Sequence, residues 1–179
     1  MTEHLHPGET VALLGMGANL GDRMGQIRRA VRAIAAAPGI RLLGCSAPYE
    51  SDPVGFIDQP RFINAVIAVA TLHPPEEMLR ITRSVEGEMG RRRSFRNAPR
   101  HLDIDLLFYE DFVCEGPELT LPHPRYGDRS FVVVPTLELL ESLRLPGAYW
   151  KRLHRELVDN PARSGLDRIP GDLAEESEM

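Results

Sequence analysis

Apolar and polar positions along the chain change period several times, and each change marks an element. Residues 11–16 form a short apolar run that ends in glycine-rich chain, the pattern of a first strand. Asp22 stands where a helix N-cap belongs. Ile27, Val31 and Ile34 follow at helical spacing and Pro38-Gly39 stops the run, so a helix is predicted over residues 23–37. Residues 40–46 read as a second strand. Pro48, Pro53, Gly55 and Pro60 punctuate residues 48–60, which are predicted to be loop. Residues 62–71 alternate and are rich in valine and isoleucine, a third strand. Pro74-Pro75 opens a second helix that runs to about Met89, with Glu76 and Glu77 in the first turn, where the helix dipole favours acids. Gly90 breaks it. Residues 91–100 are a polar loop, and residues 101–109 a fourth strand. Residues 118–124 read as extended or turning. Residues 129–143 are predicted to begin extended and to turn helical near Pro135.

The order β-α-β-β-α-β is the split βαβ arrangement of ferredoxin-like folds. It predicts an α+β sandwich: an antiparallel sheet with helices packed on one face. One domain is expected over residues 10–145. From residue 146 the pattern weakens: residues 150–158 suit a short helix and residues 161–179 are polar and acid-ended, so residues 146–179 read as a partly mobile C-terminal extension.

Composition narrows the functional classes. A chain of 179 residues, 42% hydrophobic and 26% charged, suits one globular domain with a sizeable core. A net charge of -5 opposes a general nucleic-acid binder. Lys151 is the only lysine, which leaves no P-loop lysine to hold phosphates. Cys45 and Cys114 are far apart and outside any CxxC context, against a zinc site or a disulfide framework. No apolar run reaches membrane-spanning length, and residues 1–10 are too polar for a signal peptide, so a cytoplasmic protein is expected.

The densest chemistry lies in Arg91-Arg92-Arg93-Ser94-Phe95-Arg96-Asn97-Ala98-Pro99-Arg100-His101-Leu102-Asp103-Ile104-Asp105. In a strand, Asp103 and Asp105 share a face. Paired carboxylates repel unless a cation sits between them, and hard oxygen ligands favour magnesium, which takes one or two carboxylates plus phosphate oxygens. The arginines upstream suit the phosphate. The same residues equally fit an edge strand with solvated acids beside a solvated basic loop. Gly15-Met16-Gly17-Ala18-Asn19-Leu20-Gly21 has the spacing GxGxxxG and is followed by no parallel βαβαβ pattern, which rules out a Rossmann fingerprint; the glycines are read as permitting a tight turn and close packing. Phe62 and Asn64 share a strand face and could hold a flat heterocycle, although core and edge roles serve them as well. Glu86 suits a surface acid or a group facing a nucleotide. Residues 121–124 (LPHP) are a proline-pinned loop that aims His123, with Arg129 and Phe131 following.

Taken together, GMGANLGD (15–22), YESDPVGFIDQPRFIN (49–64), EGEMGR (86–91), RNAPRHLDIDLL (96–107) and LPHPRYGDRSF (121–131) resemble the 6-hydroxymethyl-7,8-dihydropterin pyrophosphokinase family, in the family's order. The resemblance implies transfer of the β,γ-diphosphate of ATP to the hydroxymethyl oxygen of the pterin, with AMP leaving, in folate biosynthesis. It implies two Mg2+ ions on Asp103 and Asp105, and phosphate clamping by Arg91 and Arg100 with Arg93 nearby. It also implies nucleotide-side contacts from Glu86, Thr120, His123 and Arg129. The pterin would lie between Phe62 and Phe131, read by Asn64, with Ser51 and Val54 in the pterin loop. A monomer that binds neither nucleic acid nor membrane is expected. Two departures stand out: Asn97-Ala98 where many members have Trp-Gly, and Asp52 where proline is common. A competing reading is a ferredoxin-like RNA module that uses the arginine loop, but the adjacent aspartates would repel a phosphate backbone. A catalytically drifted relative is a third.

Overall fold

The apolar runs within residues 10–18, 40–45, 62–71 and 103–109 form strands of one sheet. The computed structural model describes residues 4–90 and 96–174. The elements are β1 (Thr10–Ala18), α1 (Arg23–Ala36), β2 (Ile40–Cys45), β3 (Tyr49–Ser51), β4 (Phe62–Thr71), α2 (Pro75–Glu88), β5 (Asp103–Tyr109), β6 (Cys114–Glu115), β7 (Thr120–Leu121), α3 (Ser130–Ser142), α4 (Ala148–Val158) and β8 (Asp167–Arg168). A 3-10 turn at Tyr126–Asp128 precedes α3.

The main sheet runs β5-β1-β4-β3-β8, with β2 also paired to β4. Every pairing is antiparallel. The strands on either side of α1, β1 and β2, are separated by β4. The strands on either side of α2, β4 and β5, are separated by β1. β2 and β3 share one edge of β4, β2 on residues 67–71 and β3 on residues 62–64. Between them Ser46 keeps the ladder, donating its N–H to Val66 O and accepting the Val66 N–H on its hydroxyl.

The strand alternation feeds two cores. Ala12, Leu14 and Met16 of β1 pack with Ile67 and Ile104 against Ile27 and Ile34 of α1 and Met78 of α2. Val11 and Leu13, on the opposite face, pack with Val66 and Phe108 against Val132 and Leu139 of α3 and Trp150, Leu153 and Leu157 of α4. Helices therefore cover both faces, which corrects the expectation of helices on one face. The physical reason is in β4: all ten of its residues are buried, and its sequence FINAVIAVAT is apolar at both parities.

Other expectations shift locally. Residues 48–60 are not all loop as expected, since Tyr49–Ser51 pairs with β4. The segment 129–143 is helical from Ser130, with Pro135 inside the helix. Its buried residues, Val132, Val133, Pro135, Thr136 and Leu139, recur at helical spacing, so burial against the sheet outweighs the weak helix preference of the valines and the proline. No helix among the described residues is long and apolar enough to cross a membrane.

Candidate active site

Sheet register assembles the floor of the site. Gly17 lies opposite Asp103 on one side and Asn64 on the other, and Asn64 lies opposite Tyr49. One row across four strands thus reads Tyr49, Asn64, Gly17, Asp103. Gly15 lies opposite Asp105 and Val66. Directly paired residues share a face, and this face continues that of Val11 and Leu13, under α3. Gly15 and Gly17 are strand residues rather than turn residues, a correction to the turn reading. Without side chains they hollow the sheet: a Cβ on Gly17 would come within 3.2 Å of Asn64 Oδ1, and one on Gly15 within 3.2 Å of Leu107. The hollow is a pocket whose lining includes Gly15, Gly17, Ser51, Val54, Phe62, Asn64, Asn97, Arg100, Asp103, Asp105, Arg129 and Phe131.

Asn64, on the pocket floor, is held from behind. Asn64 is buried and donates from Nδ2 to Ser51 Oγ at 2.7 Å and to Tyr49 O. That orientation leaves its Oδ1 over Gly17. Phe131 sits in the first turn of α3 and brings the second ring to the pocket. The Arg100 guanidinium lies 5.5 Å from the Phe62 ring centre and 3.7 Å from the Asp103 carboxylate. Arg129 lies 5.5 Å from the Phe131 ring centre. Both rings thus carry an arginine on a face, a favourable cation–π geometry. The Arg100 Nε is shut off from solvent and makes no hydrogen bond among the described residues.

The two acids face each other's charge in a partly desolvated place. Burial first, and then the Asp103 carboxylate, push Asp105 up to about 7, against the pull of Arg129 and Arg100. The strand that carries them is an edge strand, and its outward Ile104 N–H is satisfied by buried Glu86, whose Oε1 accepts it at 2.7 Å. Among the described residues no group of three or more His, Cys, Asp or Glu forms a ready-made metal cluster. Two acids on one face leave the rest of a coordination shell to a ligand's oxygens.

A second cleft opens on the other side of the acids. Leu79, Arg83 and Glu86 of α2, residues 116–120 of the β6–β7 hairpin, and His123 line it, together with Asp103 and Asp105. A β-bulge fixes His123. Between Leu13 and Leu14 the β1–β5 register skips Leu107, whose carbonyl accepts the His123 N–H at 2.8 Å. Burial, and then Arg129, lower the His123 pKa, which favours the neutral ring. Its Nδ1 accepts the Arg125 N–H, which places the ring proton on Nε2.

The structure therefore brings Ser51, Val54, Phe62, Asn64, Arg100, Asp103, Asp105, Arg129 and Phe131 to one pocket, and Glu86, Thr120 and His123 to the adjoining cleft. Arg100 and Arg129 line the first rather than the second. Arg91 and Arg93 lie outside the described residues. Sequence reasoning missed Gly15 and Gly17 as the floor, although their opposition to Asp105 and Asp103 follows once the strands are paired.

Comparison with known proteins sets the class first. Residues 13–141 match the sequence model of the 7,8-dihydro-6-hydroxymethylpterin-pyrophosphokinase (HPPK) family. The chain belongs to that family. It is 38% identical over 160 residues to the 2-amino-4-hydroxy-6-hydroxymethyldihydropteridine pyrophosphokinase of Methylorubrum extorquens, covering 89% of this chain and 99% of that protein. It is 37% identical to the Pseudomonas aeruginosa protein of the same name, covering 88% of this chain and 96% of that one. The folic acid synthesis protein fol1 of Schizosaccharomyces pombe is 36% identical over 95% of this chain, and the match spans 22% of its length. Among solved structures, Plasmodium falciparum HPPK-DHPS shares the fold with a TM-score of 0.61 at 14% identity, covering 84% of this chain and 46% of that one.

Proposed function

We propose that this chain transfers the β,γ-diphosphate of ATP to the hydroxymethyl oxygen of 6-hydroxymethyl-7,8-dihydropterin, releasing AMP. One observation carries the reading: Asp103 and Asp105 line both clefts, the aromatic–amide pocket and the one beside His123. A flat heterocycle in the first and a nucleotide in the second would meet at the acids. Phe62 and Phe131 would enclose the pterin and Asn64 Oδ1 would accept from its N–H edge, with Ser51 and Val54 in the pterin loop and Ser51 bracing Asn64. The nucleotide would lie against α2 and the hairpin, near Glu86 and Thr120, with His123 Nε2–H donating to a phosphate oxygen. Arg100 and Arg129 would exchange their aromatic faces for phosphate oxygens. Arg91 and Arg93 join them on the sequence resemblance alone.

The acids suit Mg2+, because a hard cation relieves the cost of burial and the repulsion from Asp103 that together raise Asp105, and accepts phosphate oxygens as its remaining ligands. Two such ions on Asp103 and Asp105 would neutralise the triphosphate and make the pterin hydroxyl more acidic. The protein's own part is positioning and charge placement, which supply most of the catalysis in phosphoryl transfer. The same reading makes the split βαβ core ferredoxin-like, residues 10–145 the reacting domain with 146–179 an extension, and the protein a cytoplasmic monomer.

AMP release measured with ATP, Mg2+ and the pterin, against EDTA and minus-pterin controls, tests the proposal. Pterin-dependent, EDTA-sensitive AMP is the expected result. Asp103→Ala and Asp105→Ala should each abolish turnover in a folded protein; turnover near wild type in either would remove the metal assignment.

A further inference from the structure

Two loops flank the first pocket: residues 52–61, which precede β4, and residues 96–102, which precede β5. Two carboxamides join them. Asn19 is 2% exposed, at the end of β1. Its Nδ2 donates to Gln59 Oε1 at 2.8 Å and to Pro60 O at 2.9 Å, and its Oδ1 accepts the Arg100 N–H at 2.9 Å. Its own N–H donates to Arg100 O. Gln59 Nε2 donates to Asn97 O at 2.9 Å and also to Phe56 O. Both protons of each amide nitrogen are thus engaged. At the contact, Asn97 adopts φ 59, a left-handed conformation that asparagine tolerates. Gly55 faces it so closely that a Cβ would fall 2.3 Å from Asn97 Nδ2.

We infer that Asn19 and Gln59 are positioning residues that clasp the pterin-side loop to the backbone of Arg100. The inference rests on the reading of Arg100 as a phosphate arginine. Asn19 fixes the Arg100 amide, and Gln59 fixes both Asn19 and the chain three residues before Arg100. The guanidinium therefore inherits its starting point from loop 52–61. Only amides serve at both positions. A carboxylate at 59 has no donor and would set its oxygens against the Phe56 and Asn97 carbonyls, replacing two hydrogen bonds with repulsion.

The test is a double-mutant cycle on the full chain with Gln59→Glu, Arg100→Ala and the double variant. Each is measured for kcat, KM, melting temperature and hydrogen exchange over residues 96–102. Gln59→Glu should lower kcat by about tenfold to a hundredfold, the effect of a small misplacement. KM for ATP should change far less, the melting temperature should stay close to wild type, and the Arg100 amide should lose protection. With Arg100→Ala already present, Gln59→Glu should add less than about twofold, because the group it positions is gone. Equal losses in both backgrounds would overturn the proposal, as would wild-type kcat alongside a deprotected Arg100 amide. If Gln59→Glu does not fold, Gln59→Ala, which adds no charge, enters the cycle under the same criteria. A wild type that transfers no diphosphate would refute the functional reading instead. Exchange alone then decides the clasp, and full protection of the Arg100 amide in the variant would overturn it.

Discussion

At the scale of single residues, the site concentrates groups that work against the folded state. Asp105 has a folded-state pKa of about 7 against an ordinary 3.8, so folding takes up a proton between those values. The stability this proton uptake preserves is fully present below about pH 4 and is lost as pH rises through 7. In EDTA, Asp105→Asn and wild type should therefore melt together near pH 4, and the variant should melt several degrees higher at pH 8, on the scale that about 1 kcal/mol or more gives a domain of this size. Thermal melts across that range check it, and equal melting at pH 8 would contradict the cost assigned to burying the Asp105 charge beside Asp103. Gly17 makes the opposite case, a residue valued for what it lacks. Gly17→Ala puts a methyl within 3.2 Å of Asn64 Oδ1, on the pocket floor. Pterin affinity should fall by about tenfold, the order expected for one misfitting methyl in a pocket, while nucleotide affinity holds; calorimetry with each ligand separately reads both. Asp103 and Asp105 are legible as a pair because strand period alone puts them on one face. The roles of Asn19 and Gln59 are not legible, because bonds from side chain to distant main chain leave no periodic trace in a sequence.

At the scale of elements, the strands and both early helices are legible from period, caps and proline–glycine stops. What escapes the sequence has a common cause: tertiary packing decides it. Tyr49–Ser51 is too short for a periodic signal and forms because β4 offers an unpaired edge. The helix α3 starts five residues before its proline because its buried face, Val132 to Leu139, fits the sheet. Its early start is functional, since it carries Phe131 into the pocket beside Arg129. The far end of that helix is braced by α4 through Trp150, which is 3% exposed. Trp150→Ala should remove about 3–5 kcal/mol of stability, the usual loss for a buried large aromatic. Urea unfolding measures that loss. Pterin and nucleotide affinities, measured well below the melting point, should stay near wild type, because Trp150 lines neither cleft.

At the scale of the whole molecule, the sheet divides two jobs between its faces and its edge. Helices stabilise both faces, α1 and α2 one of them and α3 and α4 the other. The α3 face is left hollow where the glycines stand, and the edge strand β5 carries the acids to the boundary between two clefts. The broad class, α+β with an antiparallel sheet, is readable from element order. The placement of helices on both faces is readable only from β4, whose ten buried residues are apolar at both parities. The ion pairs of Arg61 to Asp52 and Asp167 contribute little, since both acids are largely exposed.

The row Tyr49, Asn64, Gly17, Asp103 has a consequence for how the protein fails on heating. Its geometry is stored in the backbone ladders of four adjacent strands, so it cannot loosen by parts. The Arg100 backbone hangs instead on Asn19 alone, by its side chain and its own N–H, with Gln59 behind it, in a stretch between loops of the kind that opens locally at low free energy. Warming should therefore split the protein's abilities in time. Turnover should fade several degrees below the unfolding transition, while the pocket still captures the pterin up to the transition itself. A turnover–temperature curve laid over a pterin-binding curve and a calorimetric melt would show the gap, and superimposed curves would mean that the molecule has no soft half.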